Sequence, residues 1–182
     1  MLLLKQWKKE FAELLKSPII TFENGLISGL VYRNEKNKLH LDPEMGPASV
    51  SYYKNGNIQY KSYWNNGSKH RLKGIACIEY YKNGNIHYEE YWVNDKKYRL
   101  DGPAIIRYYE NGNIHYEQYY INDKKHRLEG PVFIEYYENG NIHYEEYWVN
   151  NEYHRLDGPA IVDYYENGNI CYEEYWVNGK IK

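Results

Sequence analysis

Apolar and polar residues alternate along this chain in short bursts, and the bursts recur. Ala104 to Tyr109 and Ile114 to Ile121 place β-branched and aromatic residues at every second position, the pattern of half-buried strands. Between them stands Glu110-Asn111-Gly112, a strong hairpin signal. A two-residue loop would pair Tyr109 with Ile114 and set Ala104, Ile106 and Tyr108 on the same face as His115 and Glu117. A three-residue loop, with Gly112 in the left-handed bulge position, pairs Tyr108 with Ile114 and Ile106 with Tyr116. The second register gathers one apolar face, made of Ala104, Ile106, Tyr108, Ile114, Tyr116 and Tyr120, and is the one expected. Ile105, Arg107, Tyr109, His115, Glu117 and Tyr119 then line the opposite face.

The hairpin is one copy of several. Asn-Gly recurs at Asn55, Asn83, Asn111, Asn139 and Asn167, always 28 residues apart, within Y-Y-[KE]-N-G-N-I. A weaker copy at Asn24 lies 31 residues before Asn55. Residues 80–107 and 108–135 agree at 19 of 28 positions. Gly56, Gly84, Gly112, Gly140 and Gly168 are therefore the expected structural turn glycines. A second turn follows at Asn66-Gly67, Asn94-Asp95, Asn122-Asp123, Asn150-Asn151 and Asn178-Gly179, residue types that tolerate positive φ. Gly-Pro at Gly46, Gly102, Gly130 and Gly158 breaks the chain before the next strand, with Gly74-Ile75 as the exception. Each hairpin should advance the array by ~10 Å, so five units make a rod of ~50 Å.

The first residues follow another rule. Leu3, Leu4, Trp7, Phe11, Leu14 and Leu15 fall at helical spacing and Ser17-Pro18 stops the pattern. Residues 2–16 are expected to form an amphipathic helix, with 1–17 capping an array that fills 18–182. A helix lying on a membrane surface is the alternative.

Hairpins carrying Tyr-x-Asn-Gly and recurring Gly loops resemble MORN repeats, and more closely the longer bacterial and viral MORN-variant repeats found in antitoxin-like and viral proteins. The resemblance covers about residues 19–182. It implies a mainly β fold, an elongated single-layer array of stacked antiparallel hairpins. It also implies a scaffold that binds proteins and sometimes lipid head groups, and no reaction.

Composition supports a folded chain outside the bilayer. Charged residues make up 26%, mean hydropathy is -0.90, and aromatics reach 18% with 24 Tyr against 3 Phe. No apolar run is long enough for a spanning helix, and the aromatic content excludes disorder. The excess of Tyr over Phe suits surfaces wetted on one side. Residues 1–78 carry 12 Lys and Arg against 6 Asp and Glu, whereas 79–182 carry 11 against 19, so the rod is electrically polar. Cys77 and Cys171 follow no metal or redox spacing, which suggests reduced thiols in a cytoplasmic protein. The Leu2-Leu3-Leu4 run is too short for a signal peptide, so export is not expected.

The residues offer little chemistry. His87, His115 and His143 share one repeat position, but equivalents ~10 Å apart cannot meet on one zinc ion. Cross-strand pairing with Glu79, Arg107 and Glu135 is expected instead. His70, His126 and His154 lie in the charged loop tract, with Tyr98 substituting once, and backbone hydrogen bonds are expected there. The pairs Glu89-Glu90, Glu145-Glu146 and Glu173-Glu174 point to opposite faces of their strands and cannot act together as acid and base. No nucleophile constellation or phosphate loop is present, so neither an enzyme nor a metal or cofactor is expected.

Binding is left. Trp92, Tyr120, Trp148 and Trp176 read as inter-repeat core. Tyr91, Tyr119, Tyr147 and Tyr175, beside Glu117, Glu145 and Glu173, read as a partner-binding face with carboxylates for steering. Arg107 and Phe133 join them because the first strand varies between copies, through Ser49, Cys77, Ile105, Phe133, Ile161 and through Ser51, Glu79, Arg107, Glu135, Asp163. The expected partner is another protein, such as a host nuclease or toxin with a basic surface, blocked in the manner of an antitoxin or a phage anti-defence (anti-CRISPR-type) inhibitor. A scaffold near a membrane, or a rod that faces or mimics nucleic acid, is the alternative, and the last strand's open edge could pair two copies.

Overall fold

The computed structural model describes residues 18–127 and 129–182, and the helix expected over 2–16 lies outside them. Twelve strands form one antiparallel sheet in strict chain order, from Ile19–Glu23 and Leu26–Val31 to Ile161–Tyr164 and Ile170–Glu174. Five of the hairpins are the 28-residue units, and the first is the degenerate copy. The mainly β array read from the sequence is the fold that the chain adopts.

The turn chemistry accounts for the hairpins. In the unit around Gly112, the Gly112 N–H donates to the Tyr109 carbonyl at 3.0 Å, and the Tyr109 N–H donates to Asn113 O at 2.8 Å. Asn111 Oδ1 accepts the Asn113 N–H at 2.8 Å, closing an Asx turn. Gly112 has φ +94°, a value that strains any side chain, and its equivalents Gly56, Gly84, Gly140 and Gly168 are also positive. The three-residue loop expected from Asn-Gly is therefore present, and Tyr108 pairs with Ile114.

One residue further the register departs from expectation. Arg107 pairs with Tyr116 and Ile106 with Glu117, because His115 is an extra residue that breaks the ladder between Arg107 and Tyr108. The same slip recurs in each unit, between Ser51 and Tyr52, Glu79 and Tyr80, Glu135 and Tyr136, and Asp163 and Tyr164. It exchanges the faces of everything beyond it: Glu117 joins Ile106, and Tyr116 joins Arg107. The apolar face expected from simple alternation is thus divided. In three units the freed residue is a histidine whose ring lies against a tyrosine, His115 4.4 Å from Tyr109 and His87 4.4 Å from Tyr81, whereas Gln59 and Cys171 occupy the bulge in the first and last of the five.

The second turns grow into a row of two-stranded ribbons such as Trp92–Val93 with Lys96–Lys97. Both turn residues have positive φ, 51° at Asn94 and 58° at Asp95, as the hairpin twist requires. Neighbouring ribbons are joined by backbone bonds, Arg99 N–H to Tyr120 O and Asp123 N–H to Lys97 O.

The core is aliphatic and lies in the middle of the sheet. Ala76, Ala104 and Ala160 are fully buried, and adjacent Ile105 and Ile106 are 3% and 8% exposed on opposite faces. Both faces of a single sheet are thereby covered, by long Tyr, Arg and Lys side chains laid over small aliphatic ones. The Trp92, Tyr120, Trp148, Trp176 row, expected as core, is half-buried on the ribbons instead. Lys69 and Lys97 lie over the Trp92 ring at 4.7 and 5.7 Å, and Lys125 over Trp148 at 4.1 Å.

Candidate protein-binding surfaces

On one face, cross-strand register sets aliphatic residues and carboxylates in alternation: Glu89, Ile106, Glu117, Ile134, Glu145, Val162, Glu173. A tyrosine of the following repeat reaches each inner carboxylate. Tyr108 donates to Glu89 at 3.3 Å, Tyr136 to Glu117 at 3.3 Å, and Tyr164 to Glu145 at 3.0 Å. Burial raises the Glu89 pKa, partly offset by the Tyr108 bond and Arg99. The tyrosine hydroxyls are raised by burial and by the carboxylates they face, Tyr164 to about 12.

A second tyrosine row on this face is capped by arginine. Arg99 lies 4.1 Å over Tyr91, Arg127 4.1 Å over Tyr119, and Arg155 3.9 Å over Tyr147. Each guanidinium then turns back to its own loop and donates to Pro103 O, Pro131 O or Pro159 O. The R-L-x-G-P spacing, eight residues after the tyrosine, was a readable signal for this brace.

Seven of the nine candidate binding residues share this face: Tyr91, Glu117, Tyr119, Glu145, Tyr147, Glu173 and Tyr175. Their availability differs from expectation. Glu145 is 9% exposed and Glu117 half-buried, both accepting tyrosine hydroxyls, so neither is a free steering charge. Glu173 is exposed at the end of the array and accepts from Tyr175 at 2.9 Å. Arg107 and Phe133 stand on the opposite face, because the bulge turns them away from Glu117. Phe133 sits there between Tyr116 and Tyr144, with ring centroids 5.8 and 5.9 Å away.

That opposite face carries the residues that vary between copies. Glu79, Arg107, Glu135 and Asp163 form a row beside the stacked histidines. His87 approaches Glu79 at 3.6 Å, while His115 reaches Glu135 of the next repeat at 3.2 Å rather than Arg107. His143 lies 3.9 Å from the same Glu135. Burial, then Arg107, holds the His87 pKa below its ordinary value. Ser51, Tyr60, Glu79 and His87 help to line an open cleft of about 440 Å³. In the loop series, Nδ1 of His70 and His154 lies 3.2 Å from the backbone N of Asn94 and Asn178 and 2.9 Å from the side-chain Oδ1 of the same residues, so the ring ties down the adjacent ribbon turn. Among the described residues no cluster of three or more His, Cys, Asp or Glu is arranged to hold a metal ion, and no helix is long and apolar enough to cross a membrane.

These features define a hairpin-repeat scaffold that presents side chains in rows. The sequence pattern of the MORN repeat variant matches residues 49–66, 75–94, 105–122, 132–150 and 162–182, together more than half of the chain. The chain belongs to this family. MORN repeats are generally non-catalytic modules that bind proteins or membranes. No curated protein matches the sequence.

Proposed function

We propose that the protein acts in the cytoplasm by binding and blocking another protein, in the manner of an antitoxin or anti-defence inhibitor. The observation that carries this reading is the row Ser51, Glu79, Arg107, Glu135, Asp163. On a scaffold largely copied from unit to unit, this strip passes from neutral Ser51 to anionic Glu79, cationic Arg107 and anionic Glu135 and Asp163, and its neighbours Cys77, Ile105, Phe133 and Ile161 change size. A repeated frame with one varying strip suits recognition of a non-repeating protein surface. The acidic excess of residues 79–182 favours a partner with a basic patch, such as a nuclease or toxin, and would accelerate encounter at low salt.

The test is affinity purification of the tagged protein from its host, followed by binding kinetics with what is retained. Glu135→Lys with Asp163→Lys should slow association at least tenfold at low salt while leaving the melting temperature within a few degrees. Unchanged association would remove this strip from the interface. Retention of nucleic acid in place of protein would overturn the reading.

A further inference from the structure

The tract that closes each repeat carries a leucine that the fold does not use. Leu72, Leu100 and Leu156 are 74%, 72% and 73% exposed, and the fourth of the series, Leu128, lies outside the described residues. The next residue varies, through Lys73, Asp101, Glu129 and Asp157, whereas leucine stands at all four positions, as do the arginine before it and the glycine two residues on. One exposed leucine is ordinary, but a periodic row marks a surface that meets something apolar.

Leu72 and Leu100 both line one open cleft of about 780 Å³, together with Tyr91 and Tyr98 and with Arg71 and Lys73 at the Leu72 end. Charge is arranged asymmetrically around it. The guanidinium of Arg99 is directed inward, to the Tyr91 ring and to Pro103 O, leaving its ion-pair partner Asp101 85% exposed. Arg155 and Asp157 repeat the arrangement, with Asp157 84% exposed, and Glu129 is exposed between them. Leu100 and Leu156 are therefore exposed beside the exposed carboxylates of Asp101 and Asp157, whereas Leu72 is followed by Lys73.

We propose that this ridge docks an amphipathic helix of a partner protein, with an apolar residue every seven positions and Lys or Arg beside that stripe. The sheet sets the spacing of the leucines. Two strands per repeat separate equivalent leucines by ~10 Å. Seven residues of α-helix rise ~10.5 Å, a mismatch that flexible side chains absorb. A β-strand returns a side chain to the same side every ~6.7 Å and falls out of step. A polyproline helix rises ~9.3 Å per turn but presents one residue per turn to the ridge. The acidic flanks select the α-helix, because its neighbours at three and four residues share the face and bring basic groups level with Asp101 and Asp157.

The experiment uses the full chain and synthetic 28-residue peptides, followed by fluorescence anisotropy. One peptide carries Leu every seventh residue with flanking Lys, a second has the same composition with Leu every fifth, and a third is proline-rich with Leu every third. The heptad peptide should bind, and the other two should not at tenfold higher concentration. L72S, L100S and L156S combined should weaken binding at least tenfold with an unchanged melting temperature. D101K with D157K should weaken it and flatten its salt dependence. Equal binding of the second peptide, preference for the proline-rich one, or an unaffected triple variant would overturn the proposal.

Discussion

The hydroxyl of Tyr109 donates to the backbone carbonyl of Tyr136, 2.8 Å away and one repeat further along. Tyr53, Tyr81 and Tyr137 make the same bond to Tyr80, Tyr108 and Tyr164. The second tyrosine of each Tyr-Tyr pair thus ties its turn to the next, helped by Asn113 Nδ2, which donates to Glu138 O at 2.8 Å. Tyr109→Phe should cost ~1 kcal/mol, the usual net worth of such a bond with its acceptor left half-buried. Tyr165→Phe, on a ring 59% exposed, should cost much less. Thermal melts of the two variants make the comparison.

Gly112 has no atom within 4 Å of where a side chain would begin, so its constraint is backbone alone. Gly112→Val should cost roughly 1–2 kcal/mol from the left-handed φ. Lys124→Ala, on an exposed ribbon position, should stay within ~0.5 kcal/mol. Equal shifts in denaturant midpoint would contradict the turn geometry.

Glu89 and His87 act on stability with opposite pH signs. The folded state raises the Glu89 pKa, so its buried charge is a penalty present above that raised value and absent below the ordinary carboxylate range. Glu89→Gln should therefore raise the melting temperature at pH 7 and lose that advantage near pH 4. His87 is held low, so the unfolded chain takes up its proton first and stability falls as pH drops through about 6.5. Substituting His87 by Gln should flatten the decline between pH 7 and 5.

Each unit contacts its neighbours and little else, so stability should add along the chain. Excising residues 108–135 joins Arg107 to Tyr136, which the next repeat would supply in Tyr108's place. The shortened protein should fold, with unchanged β content by circular dichroism and a lower melting temperature. A molten product would show that coupling extends beyond adjacent units.

The turns were legible because Asn-Gly has few conformational options, and their 28-residue spacing set the hairpin order. The inner register was not. Alternation counts every residue once, and nothing in it reveals that His115 leaves the ladder to stack on Tyr109. A hint was present in Ile105-Ile106, two adjacent apolar residues that a sheet wetted on one face does not need. The binding list was divided by that same residue, since Arg107 and Phe133 fall on one side and Glu117 and Tyr119 on the other. The tryptophans were misplaced because ring size suggested core, whereas small Ala104 and Ile106 fit the sheet centre and the large rings cover its rim.

The bonds between repeats recur with the period of the chain: Tyr and Asn of one unit donate to carbonyls of the next, and a tyrosine of the next donates back to a carboxylate. Any unit can therefore be copied between two others without leaving a donor or acceptor stranded inside the rod. Such a chain works as a ruler whose length is set by counting, one increment per duplication, so partners of different span could be matched by lengthening the gene before any contact residue is changed.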